Sequence, residues 1–145
     1  MGPLRRSKSI AVGVALALSA SSSAMADVAP VVSAKSSIQS LSKNDISDIF
    51  LGRKIRFPNG QQAVPLDLQV GSVSRDEFYT SVVGMSAVQL KAHWSKIIFT
   101  GRGKPPKAIA DGVALRKLIA SDVQSIGYID RELVDDSVRV VKLQN

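Results

Sequence analysis

Apolar and polar residues alternate between two periods along the 145-residue chain. "VAPVVS", Val28 to Ser33, is a short β-rich run. In "LSKNDISDIFLG" the period changes to that of a helix, with Ile46, Ile49 and Phe50 on one face. Ser42 stands as its N-cap with Asp45 three residues on, and Gly52 supplies the stop. "KIRFPNGQQAVPLDL" reads as a hairpin: Ile55 and Phe57 alternate with basic residues, Asn59-Gly60 forms the turn, and Ala63 to Leu68 returns as a strand. Pro65 places that strand at a sheet edge or its pairing at an end.

The pattern then predicts three more helices and two closing strands. The first helix covers about Arg75 to Val83 and breaks at Gly84. The second covers about Ser86 to Trp94, with Ser86-x-x-Gln89 as a reciprocal cap. "SKIIFTGRGKPPKAIA" is a short apolar run leading into a Gly- and Pro-rich basic loop. The third helix, Asp111 to Ser121, is expected to turn Val113, Leu115, Leu118 and Ile119 inward. "SIGYID" and "VRVVKL" close the chain as strands. Helices and strands alternate without repeats or low-complexity tracts, which predicts an α/β layer domain.

The start of the chain has a different character. Arg5, Arg6 and Lys8 precede an apolar run, Ile10 to Ala20, that is too short to span a bilayer. Ala24-Met25-Ala26 then has the small-x-small form of a signal-peptidase site, so residues 1–26 read as a cleaved signal peptide. Ser7-Lys8-Ser9 lacks the bulky apolar residues of a twin-arginine signal, which favours ordinary secretion to a periplasmic or extracellular location. The remaining 119 residues, 27–145, form one domain in this reading.

Cleavage also changes the charge. Three of the 19 basic residues and none of the 12 acidic ones lie in the leader, so the net charge falls from +7 to +4. That is compatible with small anions or an acidic partner and does not call for nucleic acid. No cysteine is present, which excludes disulfides and thiolate metal sites in an oxidising compartment. No later apolar stretch approaches membrane length, so no transmembrane segment is expected in the mature chain.

The ordered segments resemble a family: the phosphate-type periplasmic substrate-binding proteins of ABC importers. "LSKNDISDIFLGRKIRFPNGQQAVPLDLQVGSVSRDEFYTSVVG" is similar to their middle region, with its Ile-Phe-x-Gly helix end, basic-aromatic hairpin and Ser-Gly-Thr-x-x-x-Phe helix start. "HWSKIIFTGRGKPP" and "SIGYID" resemble the downstream Trp, Phe-x-Gly and Ile-Gly-Tyr landmarks. The likeness runs from about Leu41 to Ile129 and is nearest to short, stand-alone secreted members. It implies a single lobe of a type 2 periplasmic binding protein, a small mixed sheet flanked by helices. Importer receptors of this kind have two lobes that close on their ligand by a hinge, and 119 residues have room for one.

Within that resemblance, Ser72, Ser74 and Arg75 are the candidate ligand-binding residues. Ser72-Val73-Ser74 lies where the family has Ser-Gly-Thr holding an oxyanion at a helix N-terminus. Free amides, the helix dipole and a guanidinium fork suit a phosphate-like anion. Val73 departs from the family's glycine, and a β-branched residue resists the backbone freedom that glycine permits. A purely structural reading competes and carries more weight: Ser74-x-x-Glu77 is a capping box, while Asp76 and Glu77 already answer the dipole. The family also places Gly127 where two backbones approach closely, and Tyr128 is expected at the core edge with its hydroxyl toward solvent.

The other candidates are more modest. Arg102, Lys104 and Lys107 in "GRGKPPK" form a contact surface for an anion or an acidic partner, or simply a solvated connection. His93, the sole histidine, lacks any partner for acid–base or metal work and reads as a helix-end residue. Trp94, with Leu90 one turn back, reads as a core anchor. Asp135-Asp136 look like turn residues. No catalytic group, metal site or cofactor is expected. Two functions remain open: a receptor lobe for phosphate or a similar oxyanion, linked to phosphate ABC transport and acting alone or as a homodimer; or an envelope adaptor that has lost its ligand and docks a protein partner.

Overall fold

The computed structural model describes residues 2–3 and 27–145, so the expected signal peptide lies outside the described residues apart from Gly2 and Pro3. Among the described residues, seven strands and four α-helices follow in the order β1 (Val28–Ser33), β2 (Ser40–Ser42), α1 (Lys43–Phe50), β3 (Val64–Leu68), α2 (Val73–Phe78), α3 (Ala87–Phe99), β4 (Lys107–Ile109), α4 (Gly112–Ser121), β5 (Ser125–Asp130), β6 (Val138–Val140) and β7 (Lys142–Gln144). The main sheet is mixed, with spatial order β4-β3-β5-β1-β6. β3 runs parallel to both neighbours, whereas β1 is antiparallel to β5 and β6. A separate parallel pair, β2 and β7, ties the C-terminus to the entrance of α1. This is the α/β layering that the alternating pattern predicts, with the mixed sheet and flanking helices that the resemblance implies.

Both faces of the sheet are covered. Successive strand residues point to opposite sides, so Gly127 and Tyr128 of β5 look in opposite directions. On the Gly127 side lies α4. A Cβ there would meet Ile119 Cδ1 at 2.5 Å, so the helix packs against a strip with no side chain. On the other side Tyr128 stacks on Phe78 at 4.0 Å between ring centroids, and Phe78 meets Phe50 edge-on at 4.9 Å. Such aromatic pairs contribute about 0.5–1.5 kcal/mol each beyond simple burial.

The local signals at both ends of α1 and at the start of α3 hold in detail. Ser42 Oγ accepts from the Asp45 N–H, Gly52 follows α1 with φ of 73°, and Ser86 with Gln89 completes the reciprocal cap of α3. Three expectations are corrected. The hairpin shrinks to one isolated bridge, Arg56 with Gln62, around the Asn59-Gly60 turn. Its second half instead becomes β3, which starts at Val64 and sits inside the sheet. Pro65 fits there because the ladder to β4 begins only at Leu66. α3 also runs past Trp94 to Phe99, taking in the apolar run that the pattern places beyond the helix. On α4, Leu115 and Ile119 are fully buried, but Val113 and Leu118 remain 40% and 41% exposed; a helix resting on one sheet buries only a narrow stripe.

Candidate functional site

The candidate site grows from the carboxyl end of β3. Asp67 is the one ionisable residue among "VPLDL", and the sheet interior buries it to 3% exposure. A carboxylate taken out of water needs hydrogen bonds and a counter-charge, and four neighbours supply them. Tyr79 donates its hydroxyl to Oδ2 at 2.7 Å, Tyr128 donates to Oδ1, and the Leu68 N–H donates to Oδ1 at 2.9 Å. Arg75 Nε lies 3.5 Å from Oδ1, with its side chain 11% exposed and its guanidinium over the Tyr79 ring at 5.2 Å. Burial, followed by the adjacent Asp67 charge, pushes both phenols far above their ordinary range. They therefore remain neutral donors.

This node corrects the expectation for Tyr128. Its side chain is fully buried, and its hydroxyl faces Asp67 while also accepting from the Leu68 N–H at 3.1 Å. Neither Asp67 nor Tyr79 is singled out by the sequence pattern, and Tyr128 is expected there only as a core-edge residue. The available signal was a lone acidic residue at an apolar strand position, which calls for buried partners; the period alone does not say which ones.

Helix α2 starts differently from its sequence reading. Its cap is Ser72, whose Oγ accepts from the Arg75 N–H at 3.3 Å. No Ser74–Glu77 capping box forms. Ser74 Oγ donates instead to Asp130 Oδ1 at 2.7 Å, fastening the helix to the end of β5. The helix lasts six residues before the backbone widens into a π-turn over Tyr79–Val83, which ends at Gly84 in a left-handed conformation. Ser72, Ser74 and Arg75 are thus neighbours in the chain, but their side chains engage three different protein partners.

Arg75 alone of the three lines a cavity of about 540 Å³ between the end of β3, helix α3 and the Pro105-Pro106 segment. Lys91 and Trp94 contribute to the same wall. Trp94 is 7% exposed, in keeping with a core anchor, and also borders a smaller cavity of about 290 Å³. Lys104 and Lys107 line that smaller cavity, whereas Arg102 lines neither. Among the described residues the side chains of Arg102, Lys104 and Lys107 form no ion pair. His93 Nε2 is 3.0 Å from the Leu51 carbonyl, a helix-end contact. Asp135 accepts from the Ser137 N–H and hydroxyl within a turn. No group of three or more metal-ligating side chains occurs among the described residues, nor does a helix long and apolar enough to cross a membrane.

With this geometry in hand, the fold can be placed. It is similar to part of the fold of solved substrate-binding proteins. The chain aligns with a phosphate ABC transporter substrate-binding protein from Clostridium perfringens, solved with bound phosphate, at a TM-score of 0.64 and 23% identity, covering 81% of this chain and 44% of that one. An ABC-type phosphate transport receptor from Vibrio cholerae gives 0.61 and 17%, covering 79% and 45%. PstS from Borrelia burgdorferi gives 0.60 and 8%, covering 82% and 47%. The chain spans less than half the length of these proteins. No family model and no curated protein matches the sequence.

Proposed function

We propose that residues 27–145, freed of a signal peptide, act in the periplasm or outside the cell as a non-enzymatic solute-binding module for phosphate or a similar oxyanion, in the service of phosphate ABC transport. The observation that carries this reading is the fold shared with a phosphate-bound substrate-binding protein over 81% of the chain. The position of Arg75 supports it. This guanidinium follows β3 at its carboxyl end, where open α/β sheets bind their ligands, and it lines the larger cavity. Arg75 is the principal anion contact in this reading, with Ser72 and Ser74 beside it.

The same geometry argues for weak binding by the chain alone. Ser74 would have to release Asp130, and the Asp67 carboxylate offsets the charge of Arg75. A one-walled site also leaves its hydrogen bonds in a high local dielectric. A second wall, from another copy of the chain or from an envelope partner, would remedy this. Calorimetry with phosphate tests the reading: saturable heat is expected at millimolar phosphate and should vanish in an Asp67→Asn/Arg75→Gln variant, which keeps the node neutral. Absence of heat from the wild type removes the proposal.

A second reading, an envelope adaptor, is favoured by one specific observation: the three serine and arginine side chains are already engaged within the fold, while the cations of the 101–107 loop form no ion pair among the described residues. It predicts a protein partner whose capture is lost with Arg102→Glu/Lys104→Glu and does not respond to phosphate. Retention of that partner by the variant counts against the loop.

A further inference from the structure

Buried polar atoms in folded proteins nearly always have hydrogen-bond partners, and each exception asks for an explanation. Among the described residues, two buried side-chain nitrogens have none: Arg75 Nε and Trp94 Nε1. Both residues line the 540 Å³ cavity. That volume lies within the range of small-molecule sites, which combine apolar walls with a few polar groups. Here the walls come mainly from Leu68, Val88, Leu90, Ile98, Pro105 and Pro106. Val88 and Ile98 are 79% and 56% exposed, so apolar surface that could be covered is left in water.

The charges narrow the ligand further. Asp67, Arg75 and Lys91 are the ionisable residues of the lining, which leaves one positive charge in excess. Asp67 answers Arg75, whereas Lys91 has no ion-pair partner among the described residues. A bare inorganic anion covers none of the apolar wall. A neutral apolar molecule leaves Lys91 uncompensated. One ligand class meets both demands.

We infer that this cavity binds a small organic monoanion, with a carboxylate-like head held by Arg75 and Lys91 and an aliphatic or aromatic body against Val88, Ile98 and the Pro-Pro segment. The inference rests on the reading of Arg75 as an anion contact and deepens it by adding an apolar body to the ligand. Charge-assisted hydrogen bonds fix the head, and the body contributes by burial in proportion to its apolar area.

Trp94 is the only tryptophan of the chain, so its emission reports directly on the cavity. The full chain, as the cell produces it, is titrated with acetate, butanoate, hexanoate and octanoate, with hexanamide as the uncharged control and with inorganic phosphate. Saturable shifts are expected for the longer carboxylates, tightening by roughly fourfold for each methylene that becomes buried, with no saturation by hexanamide. Lys91→Glu and Ala108→Phe, at exposed positions of the lining, should each weaken hexanoate by about tenfold or more, as expected for loss of a charged contact or of space, with an unchanged circular dichroism spectrum. Affinity independent of chain length, equal binding of hexanamide, or indifference to both variants overturns the inference. Phosphate saturation without any carboxylate response overturns it and leaves the oxyanion reading standing. Carboxylate binding without a phosphate response supports it and removes phosphate as the ligand. Silence with every probe removes both.

Discussion

At the carboxyl end of β3, Asp67 and Arg75 face each other with two tyrosine hydroxyls and a backbone amide closing the shell. In the loop after α3, Arg102, Lys104 and Lys107 carry three charges with no ion-pair partner among the described residues. Both regions carry arginine near glycine in the sequence, and both attract attention as anion sites. The difference lies in desolvation. Burial makes an unpaired charge too costly to keep, so the β3 node commits its groups to one another; the loop charges stay in water, where pairing is worth little. A charge held in the core is therefore available to a ligand only by exchange, and a charge on the loop is available at once.

The largest test of this contrast removes one member of the node. Arg75→Ala leaves Asp67 buried beside two neutral phenols and should destabilise the fold by about 3 kcal/mol in urea unfolding. Asp67→Asn/Arg75→Gln should recover most of that loss. If Arg75→Ala unfolds like the wild type, the node is not a committed pair and its charge is free.

Alkaline pH provides the next test. The phenols of Tyr79 and Tyr128 titrate well above 10 in the folded state and near 10 when unfolded. A group with a raised folded pKa contributes fully below its unfolded value, and the contribution falls as pH rises toward the folded one. Stability should thus decline above pH 10 by about 1.4 kcal/mol per tyrosine per pH unit. These are the only two tyrosines, so tyrosinate absorbance should appear together with unfolding. Tyrosinate formation in the intact fold would place the hydroxyls in solvent after all.

Packing on the opposite face of β5 comes third. Gly127→Ala forces a methyl group against Ile119 and should cost about 2 kcal/mol. Adding Ile119→Val, which removes the clashing Cδ1, should return part of it, as a double-mutant cycle would show.

Smaller still is the cap of α2. Ser72→Ala should cost about 1 kcal/mol, whereas Glu77→Ala should be nearly neutral, because Ser72 and not a Ser74–Glu77 box starts the helix. The reverse ranking would restore the capping box. The smallest effect belongs to the loop, where Arg102→Glu/Lys104→Glu/Lys107→Glu should move stability by no more than about 0.5 kcal/mol. A larger change would reveal that those charges are structural too.

What local patterns decided follows from short-range physics. Ser42, Ser86 and Asp111 each cap the helix that follows them, and Gly52 and Gly84 take the left-handed turns that end a helical segment. Such choices depend on groups within a turn of one another, so composition and spacing reveal them, and the alternation of helices and strands reveals the α/β layering. The hairpin around Asn59-Gly60 was overestimated for a related reason. Its turn is real, but nothing local shows that Val64 to Leu68 finds better ladders with β4 and β5 than with its own neighbour.

The site was the least legible part, because its partners are far apart in the chain. Tyr128 reaches Asp67 across 61 residues, and Ser74 reaches Asp130 across 56. By itself the sequence determined where α1 begins and ends, where α3 begins, the absence of any cysteine, and the order of elements that makes a layered sheet. Only the tertiary structure decided that β3 is interior, that Asp67 is therefore desolvated, and that Arg75 and both tyrosines must turn toward it. Capping is settled by a few adjacent dihedrals. The fate of a charge depends on how much water remains around it, and that is known only when the whole chain has packed.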